Sequence, residues 1–328
     1  MTGKTLFACL LAVALVFATL ESTHAHGLIG KRFFPATLAV DDPFVADEMS
    51  LPTISYLKLR GTEEAPPTHQ IDLSGEISKR LTPDLGISLG GIFTILDPDP
   101  GKAVSGFDNL EVSAKYVLFK NAEHELLLSL GLGWAVGGTG SRKVGSESFS
   151  TWTPQLFVGK GFGDLPDQLE FLKPFAVTTA LGWAVPGRTH NQTFETSDTG
   201  EVEVRQELNP TVFQWGVTFQ YNIQYLQSYV RDVGLPAPLN RMIPIVELAL
   251  ETPINGHDAG RTSGTVNPGI IWFGRYLQLG IEAVVPINSD ISKNVGVLAQ
   301  VHFYLDDILP QIFTWTPFHG VLGPTQPQ

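Results

Sequence analysis

Thr211-Val-Phe-Gln-Trp-Gly-Val-Thr-Phe-Gln-Tyr-Asn-Ile-Gln-Tyr225 decides the fold. From Phe213 onward the odd positions are Phe, Trp, Val, Phe, Tyr, Ile and Tyr, and the even positions between them are Gln, Gly, Thr, Gln, Asn and Gln. Side chains on a strand point alternately to opposite faces, so this stretch reads as one β-strand with an apolar face and a polar face. It is much longer than the roughly 5–6 residues of an ordinary strand. At ~3.3 Å per residue it can cross a bilayer at a tilt.

Working outward, the same alternation recurs over residues 53–60, 68–80, 85–95, 110–118, 126–136, 149–160, 172–186, 241–253, 264–273, 276–287 and 294–303. The connections alternate too. Those at 81–84, 121–123, 162–169 and 274–275 are short, and those at 97–106, 138–148, 187–206, 254–263 and 288–293 are longer and polar. The 226–240 link breaks the short series, and Ser228–Val233 within it suits a helical turn. Bacterial outer-membrane barrels combine short periplasmic turns with long outer loops. Tyr56, Trp134, Trp152, Trp183, Tyr225, Trp272 and Tyr276 recur near strand ends, where an aromatic girdle would place them. A soluble sandwich would have short strands with polar outer faces. The expectation is an all-β fold, a closed antiparallel up-and-down transmembrane β-barrel of about twelve strands.

Both ends stand apart from this pattern. Residues 1–25 read as a cleaved signal peptide, with Lys4 before an apolar Leu6–Leu20 run and Thr23-His24-Ala25 at the cleavage site. Export to the bacterial outer membrane follows, and Cys9, the one cysteine, leaves with the signal. Residues 26–50 follow no period and are expected at the periplasmic rim or inside the bore as a plug. The barrel is expected over 51–305, with a tail at 306–328. Hydrophobic residues make up 43% of the chain and charged residues 16%, against roughly 25% charged in a soluble protein. The net charge of −12 argues against nucleic acid as a partner. The expected partners are the lipid bilayer, the outer-membrane assembly machinery and a small-molecule solute.

No catalytic motif emerges: there is no Gly-x-Ser-x-Gly elbow, His-Glu-x-x-His or phosphate loop. Neither enzymatic activity nor a cofactor is expected. The alternation instead supplies a lumen list: Asp72, Glu76, Arg80, Glu111, Lys115, Gln155, Gln214, Gln220, Asn222, Glu247, Glu251, Gln278, Glu282, Gln300 and His302. Acids outnumber bases, so an open bore would favour cations over anions. The same groups could instead pair with one another or with the N-terminal segment and fill a narrow bore. The 126–136 strand carries Ser129, Gly131 and Gly133 inward, and so small a face implies that something packs against it. His26, as a mature N-terminus, would offer an amine and a ring nitrogen suited to copper, or it simply falls beside the cleavage site.

Asn294-x-Gly296-x-x-Ala299-x-Val301-x-Phe303 resembles the closing-strand signal read by the barrel assembly machinery, although residues 304–328 follow it. In layout the chain is similar to outer-membrane channels of Gram-negative bacteria, more narrowly to transporters associated with aromatic-compound (phenol meta-pathway) degradation and to long-chain fatty-acid channels. The resemblance implies passive or gated uptake of small or hydrophobic solutes. The alternative is a barrel that acts as receptor, adhesin or scaffold through its outer loops, chiefly 187–206.

Overall fold

A computed structural model describes residues 27–62, 65–196, 202–289 and 292–318. The leader, His26 with its copper expectation, and the end of the tail lie outside the described residues. Twelve long strands form the wall: β1 (Glu48–Leu59), β2 (Thr68–Arg80), β3 (Leu85–Pro98), β4 (Leu110–Asn121), β5 (Leu126–Val136), β6 (Thr151–Gly161), β7 (Phe175–Pro186), β8 (Val212–Tyr221), β9 (Met242–Pro253), β10 (Ser263–Phe273), β11 (Leu277–Pro286) and β12 (Gly296–Tyr304). Each pairs antiparallel with the next. The last strand returns to the first, from Val297 opposite Tyr56 to Tyr304 opposite Glu48, and closes the barrel. Closure removes every sheet edge, which a spanning sheet needs because lipid cannot satisfy a free N–H or C=O.

The faces fall as the alternation requires. Ile77, Leu89, Leu130, Leu132, Trp183, Phe219 and Ile281 lie on the outside and are exposed, whereas Thr218, Glu247, Asn267, Gln278 and Glu282 point inward and are buried. Trp134 and Trp152 stack on the outer wall with ring centroids 5.0 Å apart, and Trp183 packs against Phe213 at 5.1 Å. An apolar exterior around a polar interior is the dress of a barrel immersed in lipid.

Several boundaries differ from the sequence reading. The strand read over 211–225 ends at Tyr221. Asn222 then caps a helical turn over Ile223–Val230: its side chain accepts from the Tyr225 N–H at 2.9 Å, and its carbonyl accepts from Leu226. Asn is a strong N-cap because its side-chain oxygen replaces the missing carbonyl of a helix start. Tyr225 therefore lies buried in a turn and is no member of the outer girdle. Asp167–Leu172 is likewise helical, so β7 begins at Phe175. The barrel starts at Glu48, ahead of the expected 51, and Leu51-Pro52 forms a bulge in the pairing of β1. Proline has no N–H for the ladder, so the chain bulges there and then resumes its register. The 97–106 loop holds a short strand, Val104–Phe107, folded back on β3, and the 187–206 loop extends into a hairpin, His190–Thr196 with Val202–Leu208.

Candidate functional site: the occupied lumen

Residues 27–47 run inside the barrel. They begin with a small hairpin, Leu28–Ile29 against Arg32–Phe33, and lead directly into β1. Two apolar clusters seat them. Ile29 and Phe34 pack with Val117, Leu127 and Ala176 of β4, β5 and β7, while Phe33 packs with Ile243, Ile245, Ile271 and Tyr304 of β9, β10 and β12. Inward apolar residues on a polar face are thus partners for this plug. Glycine on the wall lets the plug approach. A Cβ at Gly216 would meet Val40 at 2.6 Å, and one at Gly280 would meet Leu38 at 2.6 Å.

Polar ties then fix the register of the plug. Arg32 is fully buried. Its Nε donates to Glu125 at 3.0 Å, its other nitrogens donate to the carbonyls of Pro174 (2.7 Å) and Lys173, and its guanidinium carbon lies 3.9 Å from the centre of the Tyr225 ring. Burial, and then the neighbouring Glu125 carboxylate, push the Tyr225 hydroxyl up to about 12, so it remains an O–H at neutral pH. The three N–H groups of Leu38, Ala39 and Val40 converge on the Glu247 carboxylate at 3.0, 2.6 and 2.7 Å. Asn222 donates to the Phe33 carbonyl, Gln278 to that of Ala36, and Ser129 to that of Pro43. Lys115 donates to the Asp41 carboxylate at 2.9 Å and to the Asp42 carbonyl at 2.5 Å. Where the plug enters β1, Asp47 is fully buried and accepts from Lys79 Nζ (2.7 Å), Arg80 N (2.9 Å) and Arg80 Nε (2.6 Å).

The expected lumen residues therefore separate into groups. Glu247, Gln278 and Asn222 hold the plug. Arg80 turns to the rim and joins Asp47 to Asp306 of the tail. Gln220 and Glu282 are buried behind the plug. Gln300 bonds Thr53 at 3.1 Å, and His302 meets Glu48 at 3.2 Å. Asp72 accepts from Gln70 and Thr94, both at 2.7 Å, and stays against the wall. Glu111 is exposed. Gln155, Gln214 and Glu251 border a cavity of about 350 Å³ whose floor is Ala39, Val40 and Asp41. Glu76 and Lys115 border a second gap of about 30 Å³ between the plug and β2–β4. Of the glutamates on the lumen list, Glu111, Glu247, Glu251 and Glu282 do not line one common path. Two are sealed beneath the plug, because a chain segment that packs in a bore covers whatever lies under it.

Periodicity missed Arg32, Asp47 and the pairing of Glu247 with residues 38–40, because none of these obeys a repeat. The small inner face of β5 was the available signal: the Pro43 carbonyl of the plug lies against Ser129, and the ring of Phe157 lies against Gly131.

No family model matches the chain, and no curated protein matches it. Among solved structures it is similar to an outer membrane channel from Pseudomonas putida F1 (11% identity, 83% of this chain and 99% of that one, TM-score 0.48). It is also similar to the NanC porin (8% identity, 77% and 98%, TM-score 0.42) and to the translocator domain of the autotransporter NalP from Neisseria meningitidis (10% identity, 78% and 87%, TM-score 0.42). Likenesses this loose carry no argument about solute or gating, and the barrel rests on the strand pairing itself.

Proposed function

We propose that this chain is an outer-membrane channel for small solutes, gated by its own residues 27–47. The observation that carries this reading is the 350 Å³ chamber on the long-loop side, which ends on a segment tied to the wall rather than belonging to it. A wall strand cannot leave without breaking the barrel, whereas the plug can shift by exchanging side-chain bonds. The chamber presents Asp41, Glu251, Gln155 and Gln214, so its field favours neutral polar and cationic solutes over anions. Planar-bilayer recording tests this. Discrete conductance steps with a reversal potential on the cation side are expected, and a silent, correctly folded protein would sink the channel reading.

A loop-acting receptor or adhesin is the second reading, favoured by the two apolar clusters that fill the periplasmic half of the bore. It predicts that removing the 190–208 hairpin abolishes function while the bilayer stays electrically silent.

A further inference from the structure

The plug is not held equally on all sides. Toward β8–β12 it is fastened through Asn222, Glu247 and Gln278 and seated on Ile243, Ile245 and Ile271. Toward β2–β4 the wall presents Glu76, Ser78, Gly86, Ser88 and Ser113, and here lies the gap of about 30 Å³. That volume is close to one water's share of liquid, about 30 Å³, so the gap has room for a water but is too narrow for a solute. The wall's own groups are occupied with one another on this side: Ser88 and Ser113 hydroxyls bond at 2.7 Å, and Ser78 reaches Glu76 at 3.4 Å. Plug and wall are joined across the crevice by Lys115, whose ammonium holds Asp41 and the Asp42 carbonyl.

Asp41 borders both the upper chamber and the crevice, so one residue of the plug separates the two spaces. From there the crevice descends past Glu76 and Ser88 to Ser78 and Glu48 near the periplasmic end of β1. The wall side of the crevice is mostly small-chained and hydroxylated, the plug faces it with Phe44, Val45 and Ala46, and Glu48, Glu76 and Asp41 are its acids and Lys115 its base. Shifting the plug on this side breaks the two Lys115 bonds and slides Val45 off Gly86 and along the rim of the cluster around Phe34, where Val45 and Phe44 are only partly buried. On the far side it would break the three bonds to Glu247 and expose an apolar cluster, which costs more.

We infer that solute crosses along the β2–β4 crevice, with Lys115 as the bolt and with Asp41 and Glu76 setting a preference for small cations. This rests on the channel reading and specifies its route. The test is cysteine accessibility, because the chain's single cysteine, Cys9, lies in the leader expected to be removed. Ser88→Cys and Ser113→Cys report the crevice, and Thr178→Cys and Thr218→Cys report buried positions elsewhere on the wall. Reconstituted protein is treated with a cationic ethylammonium thiosulfonate and with its anionic sulfonate analogue. With each rate divided by that reagent's rate with a free thiol in solution, the crevice cysteines should react about tenfold faster with the cationic reagent than with the anionic one, as electrostatic steering of a charged reagent predicts. Lys115→Ala should speed them further and leave Thr178→Cys and Thr218→Cys slow.

Equal labelling at all four positions, or crevice cysteines that stay unreactive in the Lys115→Ala background, would overturn the route. Labelling needs no current, so a protein labelled as expected but silent in bilayers defeats the channel reading and not the crevice. Ser78→Cys, on the neighbouring strand, supplies the same measurement where Ser88→Cys or Ser113→Cys fails to fold.

Discussion

Replacing Glu247 by Ala would leave the Leu38, Ala39 and Val40 N–H groups without their acceptor in a site closed to water. Each buried donor so orphaned costs about 1–3 kcal/mol. Loss of at least about 3 kcal/mol of plug docking is expected, equivalent to roughly a hundredfold in the docking equilibrium, read as faster hydrogen exchange of those three amides. Glu282 should behave in the opposite way. Its side chain is buried beside Asn267 and close enough to Glu247 to feel its charge, yet neither carboxylate oxygen has a hydrogen-bond partner among the described residues. A buried acid here costs desolvation whenever it ionises, whereas an amide of the same shape never does. Glu282→Gln should therefore melt at the wild-type temperature or above it, and a fall as large as that of Glu247→Ala would refute this view of the site. Both glutamates were legible as inward residues, because strand parity alone decides the face. Their different roles were not, because Glu247 meets residues more than two hundred positions earlier in the chain, and no local pattern encodes that meeting.

Elements that interrupt the alternation are where sequence reading failed, and each failure has a local cause. Ile223 and Tyr225 continue the odd-position pattern of β8, but the Asn222 cap turns the backbone into a helix before they can extend it. The C-terminal tail is a similar case. It leaves β12 as two short helices, Leu305–Ile308 and Pro310–Phe313, pinned by Arg80 to Asp306 at 2.8 Å and by Lys79 to the Phe313 and Trp315 carbonyls. Burial pushes the Asp306 carboxyl up to about 6 despite the opposing pull of Arg80, and Asp307 and Asp47 add to the rise. The sign follows from proton linkage. Below the ordinary value of 3.8 the docked and released tails both hold the proton. Between 3.8 and about 6 the docked tail holds it and the released tail does not, so docking weakens as pH rises through that window and is weakest above it. Hydrogen exchange of the Leu305–Ile308 amides, corrected for intrinsic rate, should be more protected at pH 4.5 than at pH 7. Asp306→Asn should flatten this difference, and a variant that keeps the full pH dependence would assign it to another group.

At the scale of the whole molecule, the barrel and its contents are separable in principle. The ladder from Val297–Tyr56 to Tyr304–Glu48 closes the wall without help from residues 27–46, and Asp47, which the Lys79 and Arg80 side chains require, lies outside that span. A chain lacking residues 27–46 should still form a closed barrel that resists unfolding in detergent until heated. It should melt lower than the intact protein, because Leu127, Ile243, Ile245 and Ile271 lose the apolar cover that Phe33, Phe34 and Ile29 provide. Each large side chain so uncovered is worth about 1.5–3 kcal/mol. In bilayers this chain should conduct steadily, since twelve strands enclose more space than the roughly eight whose side chains fill their own interior. A folded, plug-free barrel that passes no current would mean that the inward row of Thr218, Glu247, Asn267 and Glu282 collapses across the bore once the plug is gone. In that event the plug would be a filler that keeps a sealed barrel in shape, and the loop-acting reading would take the channel's place.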